Sequence, residues 1–240
     1  LTQLADQIGE RPVGTTGNRA ALDILTAGAK ELGYQAEAIP LACRTWQNGE
    51  SYIEVDRTRI RILAGPLSPA TAGVFPVRTA QTVAELEREQ LAGSVVLLHG
   101  ELADEPLMPK DFPFYYPEEH KRIIDLLERE RPAAIVAVTG KHPMCGLYPF
   151  PVFEDGAFTV PNAYVAADAP GMQALLQKNE ERTVRITIDS SAAEAESRQP
   201  VYRLPGADPA IVVCAHVDTK YGTPGATDNA AGVADRKSVV

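Results

Sequence analysis

The sequence predicts an α/β protein whose middle part, which we call the insert, is delimited by two candidate linkers. Three observations support this fold class. Strand and helix patterns alternate through the middle of the 240 residues. A Gly/Pro/Ser stretch at 65–69 and a Glu-rich polar stretch at 191–199 delimit that middle part. A β-branched apolar run then leads into His and Asp residues, and sheets of this class bind ligands outside the carboxyl ends of their strands.

The composition is that of a globular protein with one large or two small domains. No apolar run approaches the ~20 residues of a membrane span, so no span is expected and both cytoplasmic and secreted locations stay open. The net charge of −9 argues against a nucleic-acid partner. Cys43, Cys145 and Cys214 are scattered and predict neither a disulfide framework nor a Cys-type zinc site. Cys214 is expected to be buried in a strand. The sequence does not specify an oligomeric state.

Residues 1–63 are predicted to form one helix followed by strands. Apolar residues at helical spacing predict a helix over 18–32, and Gly33 is a natural stop. The Asn48-Gly49 pair predicts a hairpin turn. Two strands are expected on each side of it, at residues 35–39, 41–46, 52–55 and 60–63.

Residues 64–190 are predicted to form the insert. Thr82 and Glu85 make a capping box that begins a short helix. Longer helical patterns follow at 118–131 and 171–177. Strands are expected between the helices, at residues 74–77, 91–98, 133–138 and 184–188.

Several residues of the insert invite functional interpretations. The insert contains three histidines, His99, His120 and His142, and none of them is counted as a metal ligand. His120 lies among charged residues and is expected to be solvated. The aromatic loop that contains Tyr148, Phe150 and Phe153 is interpreted as packed. The alternative is that these aromatic side chains shape the entry of a substrate.

Residues 191–234 follow the insert and contain the second apolar segment of the chain's C-terminal part. The polar stretch 191–199 is interpreted as the return linker. Adjacent sheet strands are expected at residues 201–204 and 210–215, and residues 205–209 are expected to form the turn between them. Val212 and Val213 predict that the second strand is buried.

The chemistry-bearing residues follow that second strand. The imidazole of His216 is a good zinc ligand, and its other nitrogen needs a partner that fixes the tautomer. Asp218 lies two residues on, hence on the same side of an extended chain, where it can orient His216. Asp228 offers a carboxylate that can bridge two metal ions about 3.5–4 Å apart. A lone His-x-Asp or Asp-Asn pair is usually without function, but their combination after an apolar strand favours a metal site.

Two motifs carry a resemblance to a known family. HVDT at 216–219 with PGATDNAAGVA at 224–234 resembles the co-catalytic di-zinc aminopeptidases, the group of bacterial leucyl aminopeptidase, aminopeptidase S and glutamate carboxypeptidase II. RPVGTTGN at 11–18 is similar to the family's opening segment. A related di-zinc group usually has a Lys-Gly signature after a later Asp, whereas here Asn229 and small residues follow Asp228.

The resemblance implies a phosphorylase/hydrolase-like zinc exopeptidase core, a mixed sheet flanked by helices. Residues 1–63 and 191–234 would form this discontinuous core around an α+β insert. The resemblance also implies roles for three residues. His216 would bind one zinc ion and Asp228 would bridge two. Asp218 would support His216 without binding metal. The peptide bond between Asp228 and Asn229 would be cis. A general-base Glu and further ligands would lie downstream, so the chain shown is expected to be inactive alone.

The resemblance also implies a function and an identity for the insert. The implied activity is a zinc-dependent aminopeptidase that acts on peptides. The alternatives are a non-catalytic receptor on the same fold, or a di-zinc carboxypeptidase or deacylase. The span 64–190 resembles the protease-associated domain, since LAGSVVLLHG at 91–100 is similar to one of its strands, although Ser94 stands where Lys is common.

The last six residues depart from the apolar helix with which the family continues. DRKSVV at 235–240 is what the sequencing adapter GATCGGAAGAGCGTCGTG encodes in one frame. These residues are therefore predicted to be a non-native tail on a C-terminally truncated chain. Asp235 is accordingly not counted as a metal ligand. Finding DRKSVV encoded in clean genomic DNA would contradict this interpretation.

Overall fold

The computed structural model describes residues 1–110, 112–140, 149–177, 182–206 and 212–238, with side chains to residue 235. The chain divides into two compact units. Leu1–Thr45 and Ala193–Val240 form what we call the terminal unit, and Trp46–Ala192 form what we call the barrel unit. Both the chain termini and the candidate metal site belong to the terminal unit.

The described residues contain helices and strands in alternation. The strands are β1 (Gln35–Asn48), β2 (Ser51–Val55), β3 (Thr58–Ala64), β4 (Thr71–Ala80), β5 (Val95–Leu98), β6 (Ala134–Thr139), β7 (Asn162–Ala166), β8 (Thr183–Ile188) and β9 (Ser190–Arg203). The α-helices are α1 (Thr16–Glu31), α2 (Val83–Leu86), α3 (Glu118–Glu130), α4 (Met172–Leu176) and α5 (Gly232–Ser238). Further helical turns are Gln3–Ile8, Gly100–Ala103 and Ala226–Ala231. In the part of the chain that is described, no helix is long and apolar enough to cross a bilayer.

Helix α1 has the start and stop signals that its sequence predicts. The Thr15 hydroxyl accepts a hydrogen bond from the Asn18 amide at 3.2 Å, which caps the first turn. Gly33 follows the helix with φ of 85°, and the Tyr34 amide donates back to the carbonyl of Ala29 at 3.0 Å. This closure needs the left-handed conformation that glycine adopts without cost. The predicted helix is confirmed, with its start two residues earlier.

Strands β1 and β9 pair in a two-stranded sheet, and this corrects two predictions. The two short strands expected at 35–39 and 41–46 are one continuous strand. The stretch 191–199, interpreted as a linker, lies inside β9. Most residues of both strands are exposed or half-buried. A ribbon with both faces accessible to water accommodates polar side chains, so composition alone could not separate this strand from a linker.

The barrel unit is a closed mixed β-barrel with the strand order β2-β3-β7-β6-β5-β4-β8. Strands β4, β5, β6 and β7 are parallel neighbours, and the other pairs are antiparallel. Every residue of β5 and β6 is buried. Helix α3 links these two parallel strands and buries Ile123, Ile124 and Leu127 against the barrel core. The strand and helix positions predicted for the insert are therefore largely confirmed.

The barrel unit begins earlier than the insert boundary expected at residue 64. Strand β2 pairs with β8, with Ile53 opposite Ile186, and β3 pairs with β7. Residues 46–63 therefore belong to the barrel unit. The hairpin between β2 and β3 turns at Asp56 and Arg57, which have positive φ, rather than at Asn48-Gly49. The Asn48-Gly49 prediction failed because β1 pairs with β9, so no hairpin joins β1 to β2.

A buried strand is predicted at residues 210–215, but the described residues of this range form no strand. Residues 212–215 form no strand, and residues 207–211 lie outside the described residues. Val212 is 83% exposed and Val213 51% exposed, and Cys214 is exposed as well. A strand needs a neighbour for its backbone groups, and β9 ends at Arg203. Among the described residues of the terminal unit, the only sheet is the β1–β9 pair, where a mixed sheet is expected.

Two predictions within the insert have different outcomes. His120, expected to be solvated, is buried on the apolar face of α3. Its Nδ1 accepts a hydrogen bond from the Met108 amide at 3.0 Å, and its Nε2 lies 3.3 Å from a Glu105 carboxylate oxygen. Phe150 and Phe153 are buried in the core, as the packed interpretation of the aromatic loop predicts. The other residues named in that loop lie outside the described residues: His142, Cys145 and Tyr148.

Candidate metal site

The candidate site is built from two segments of the terminal unit. His216 and Asp218 lie in an irregular extended segment, and Asp228 lies in the helical turn Ala226–Ala231. That turn is interrupted at Asp228 and Asn229, whose backbone angles are not helical. The peptide bond between these two residues is cis, as the resemblance implied. The predicted site residues therefore come from a loop and a broken turn, not from the end of a sheet strand.

The two ring nitrogens of His216 face two different carboxylates. Nε2 lies 2.9 Å from Oδ1 of Asp228, and Nδ1 lies 3.5 Å from Oδ1 of Asp218. If the proton sits on Nδ1, next to Asp218, the lone pair of Nε2 faces the side of Asp228. The structure thus brings together all three residues that the sequence singled out. The side chains are accessible from solvent, with 53% of His216 and 86% of Asp228 exposed.

The donor types and their spacing fit a zinc ion. Zinc bonds to nitrogen and oxygen are ~2.0–2.2 Å, so two donors at tetrahedral angles lie ~3.3 Å apart. The 2.9 Å between Nε2 and Oδ1 requires only a small opening to admit an ion. Zinc sites use three or four protein ligands. Within the described ranges, no group of three or more His, Cys, Asp or Glu residues could hold a metal ion, so this chain offers part of a ligand set.

The Asp228 turn is held by a small apolar core. Ala230 and Val233, which flank the end of the turn, pack with Leu4 and Ala21. Ala21 lies on the buried face of α1. The first 31 residues therefore support the turn that carries Asp228, although no spacing rule in the sequence connects the two segments.

Gly225, directly before the Asp228 turn, could not carry a side chain. Its φ is 52°, and an added Cβ would lie within 2.6 Å of the Asp228 carbonyl oxygen. The same Cβ would overlap the Cγ2 of Thr219. The close approach of these segments therefore requires glycine at this position. The predicted Gly-rich turn thus has a specific geometric role.

Arg11 is the residue of the site that sequence reasoning did not assign. In the sequence it is the first residue of the RPVGTTGN motif at 11–18. Its side chain is fully buried, and its guanidinium donates to five backbone carbonyls: Leu4, Gly9, Val217, Pro224 and Gly225. Burial lowers the pKa of this guanidinium, whereas the charge of Asp218 acts in the opposite direction. A buried arginine is rare enough that no local sequence pattern predicts one.

Comparison with known proteins locates the similarity on these residues. Residues 201–235 match the sequence model of peptidase family M28. That segment includes His216, Asp218 and Asp228. A search of curated protein sequences gave no match.

Solved structures of aminopeptidases share the fold. An aminopeptidase from Aneurinibacillus sp. strain AM-1 matches with a TM-score of 0.65 at 16% identity, over 95% of this chain and 54% of its own. BSAP, a zinc aminopeptidase from Bacillus subtilis, matches with a TM-score of 0.67 at 18% identity, over 98% of this chain and 54% of its own. A peptidase M28 precursor from Shewanella amazonensis SB2B matches with a TM-score of 0.62 at 18% identity, over 98% of this chain and 57% of its own.

These similarities are low in identity but extend over almost the whole chain. At 16–18% identity they show the fold alone, a mixed α/β fold. The chain spans about half the length of these structures. The match to peptidase family M28 covers residues 201–235, which include His216 and Asp228, and the fold of the chain is similar to that of these peptidase structures.

Proposed function

We propose that the full-length protein is a zinc-dependent exopeptidase, specifically an aminopeptidase that removes N-terminal residues from peptides. One observation carries this proposal. His216 Nε2 and Asp228 Oδ1 lie 2.9 Å apart, inside the segment that matches peptidase family M28. The zinc and aminopeptidase descriptions of the structural neighbours support the choice of metal and of reaction.

His216 and Asp228 are proposed as the metal ligands that this chain contributes. His216 must be neutral to bind metal, and Asp218 is proposed to hold the proton on Nδ1, which leaves Nε2 free to bind. Asp228 directs Oδ1 towards His216, and the second oxygen of its carboxylate allows it to bridge two ions. Asp218 is therefore a positioning residue in this proposal.

Two bound zinc ions would supply an activated water molecule near neutral pH and polarise the scissile carbonyl. The described chain supplies two of the donors. We propose that the remaining ligands and the general-base Glu belong to a part of the full-length protein outside residues 1–240. The chain alone is accordingly proposed to be inactive. The presence of His216, Asp218 and Asp228 together argues against a receptor that has lost its metal site.

The barrel unit is proposed to be a protease-associated domain. The segment that motivated this assignment forms a Ser94 turn and then β5. The Ser94 hydroxyl donates to the Leu91 carbonyl at 2.7 Å, and both residues are buried. Ser94 therefore closes a turn by its own hydrogen bond where a lysine is common in that domain.

The experiment compares Asp228→Asn with Asp168→Asn in the full-length protein. Asp168 is an exposed carboxylate of the barrel unit and serves as the matched control. Zinc content and hydrolysis of aminoacyl p-nitroanilides are measured for both variants and the unsubstituted protein. We expect zinc and hydrolysis in the unsubstituted protein and in Asp168→Asn, and loss of both in Asp228→Asn.

The same substrates with an acetylated amine test the exopeptidase direction. An aminopeptidase should hydrolyse only the forms with a free amine. Equal hydrolysis of both forms would exclude an aminopeptidase but leave a zinc peptidase. A full-length protein that binds no zinc would refute the whole proposal.

A further inference from the structure

The guanidinium of Arg11 connects three separate segments of the terminal unit. Nε donates to the Val217 carbonyl at 2.6 Å, between the two residues His216 and Asp218. The terminal nitrogens donate to Pro224 at 2.6 Å and Gly225 at 3.0 Å, directly before the Asp228 turn. One planar group therefore binds both segments that carry the candidate metal ligands.

The same guanidinium also anchors these segments to the N-terminal turn Gln3–Ile8. Its Nη1 donates to the carbonyls of Leu4 at 3.2 Å and Gly9 at 2.9 Å. The backbone amide of Arg11 donates to the buried Thr219 hydroxyl at 2.9 Å. The preceding residue adds a parallel contact, since the Gly222 amide donates to the Glu10 carboxylate at 2.6 Å. The loop between His216 and Asp228 is thus attached at several points to residues 4–11.

The chemistry of arginine suits this attachment. Its five N–H groups point from a rigid plane in fixed directions, whereas a lysine offers one flexible ammonium. The Arg11 cation is fully buried and therefore requires hydrogen-bond partners. Displacing either segment would break its hydrogen bonds to the carbonyls of that segment and leave those groups unpaired. The loss of such buried hydrogen bonds costs more than a typical surface contact. Movement of the His216 segment relative to the Asp228 turn is therefore opposed.

The surface arginines of the same unit behave differently. Arg19 donates to one carbonyl, that of Gly14, and its side chain is exposed. Arg198 pairs with the exposed carboxylate of Asp23. Arg11, in contrast, directs its whole fork to backbone carbonyls, three of which belong to the two ligand-bearing segments.

We infer that Arg11 is a positioning residue that sets the separation of His216 and Asp228, and thereby the zinc affinity of the site. The inference rests on the proposed zinc site. Arg11 touches neither the candidate ligands' side chains nor any substrate; it acts through the backbone of Val217, Pro224 and Gly225. The 2.9 Å between Nε2 and Oδ1 is the quantity that it controls.

The test measures zinc affinity in the full-length protein by competition with a chromophoric chelator. Arg11→Lys keeps the charge and removes the fork, and Arg19→Lys is the matched control. Loss of a group that positions metal ligands typically weakens binding by about 10- to 100-fold. We expect that loss for Arg11→Lys and unchanged affinity for Arg19→Lys. Equal affinity in Arg11→Lys and the unsubstituted protein would overturn the inference.

Two readouts separate positioning from general destabilisation. The visible absorption of the cobalt-substituted protein reports ligand geometry, and we expect a changed band in Arg11→Lys at a temperature where circular dichroism shows a folded protein. In Arg11→Ala, millimolar guanidinium chloride should restore zinc affinity, and the same concentration of sodium chloride should not. An unchanged cobalt band, or recovery by both salts, would count against a positioning role.

Amide hydrogen exchange distinguishes failure of this inference from failure of the proposed function. If the unsubstituted protein binds no zinc, the proposed function fails, whatever Arg11 does. Exchange of the Gly222, Gly225 and Ala230 amides in metal-free protein still reports on Arg11. The Gly222 amide donates to the Glu10 carboxylate, and the other two amides are hydrogen-bonded within the attached loop and the turn that follows it. Faster exchange in Arg11→Lys than in Arg19→Lys is expected. Equal exchange in the two variants would overturn the inference.

Discussion

The barrel unit and the terminal unit are held together by different kinds of interaction. The barrel closes on itself and contains two large clusters of buried apolar residues. The terminal unit has one small apolar cluster among its described residues, with four buried members: Leu4, Ala21, Ala230 and Val233. Around the candidate site its contacts are mainly hydrogen bonds from buried polar groups, above all from Arg11.

The difference indicates that the barrel unit is a stable scaffold and that the terminal unit positions the residues of the candidate site. Apolar burial is non-directional and tolerates many sequences, so it suits a unit whose task is to be stable. Hydrogen bonds from one guanidinium fix atoms in specific positions, so they suit a unit in which two candidate ligands lie 2.9 Å apart. The stability of the barrel should therefore depend on its core, and the order of the terminal unit on its polar contacts and on metal.

The largest effect is expected from a cavity in the barrel. Ile135 lies in β6 and is completely buried. We expect Ile135→Ala to lower the free energy of unfolding of the barrel by about 2–5 kcal/mol, the usual loss for such truncations. Val74→Ala is the matched control, because Val74 also lies on a barrel strand but is 53% exposed. Urea denaturation measures both. Similar losses in the two variants would show that the barrel does not depend on its core in this way.

A smaller effect is expected from zinc, and only in the terminal unit. At a zinc concentration of about 100 times Kd, binding should stabilise the bound form by about 2.7 kcal/mol. Amide exchange of residues 217–230 should then slow by up to about 100-fold, while barrel amides such as that of Val136 keep their rates. Asp228→Asn should abolish the effect. Equal slowing in both units would remove the contrast between scaffold and site.

The smallest effect is expected from pH in the barrel. Burial acts to raise the pKa of Glu128, but hydrogen bonds from Lys110 and Thr159 and the charge of Lys110 outweigh it, so the pKa is lowered. A carboxylate with a lowered pKa stabilises the fold above its unfolded pKa, and that contribution is lost as pH falls through the folded pKa. Partly exposed pairs contribute less than about 1 kcal/mol.

Glu128→Gln should therefore reduce the loss of barrel stability on acidification. Glu130→Gln is the control, because Glu130 pairs with the exposed Arg129 at the end of the same helix. Denaturation midpoints at neutral and acidic pH measure the difference. If the two variants show the same pH dependence, the Lys110–Glu128 pair does not contribute as expected.

Local signals predicted most of the barrel unit. Helix α3 follows from the helical spacing of Ile123, Ile124 and Leu127, and β5 from the apolar run before His99. The predicted N-terminal cap of α2 is present: the Glu85 amide donates to the Thr82 hydroxyl at 3.2 Å, and the Glu85 carboxylate accepts from the Gln81 amide at 3.1 Å. Such patterns succeed where an element buries a face against a continuous core, since burial then imposes the period on the sequence.

Local signals failed where pairing partners were distant in sequence. The stretch 191–199 is a strand because β1, far from it in the chain, pairs with it. His120 is buried because the Met108 amide and the core around α3 surround it. The apolar run at Val212 and Val213 predicts burial, but among the described residues no strand lies beside it. Composition describes a segment's own preferences and contains no information about which partner it meets.

The residue types in the sequence are enough to predict the chemistry proposed for the site. His216, Asp218 and Asp228, with the glycine before the turn, predict metal binding and carry the resemblance to a family. The tertiary structure alone decided the 2.9 Å separation of the candidate ligands and the burial of Arg11 among five carbonyls. The physical reason is that donor chemistry belongs to single side chains, whereas distance and burial arise only when segments more than 200 residues apart meet, as Arg11 and Val217 do.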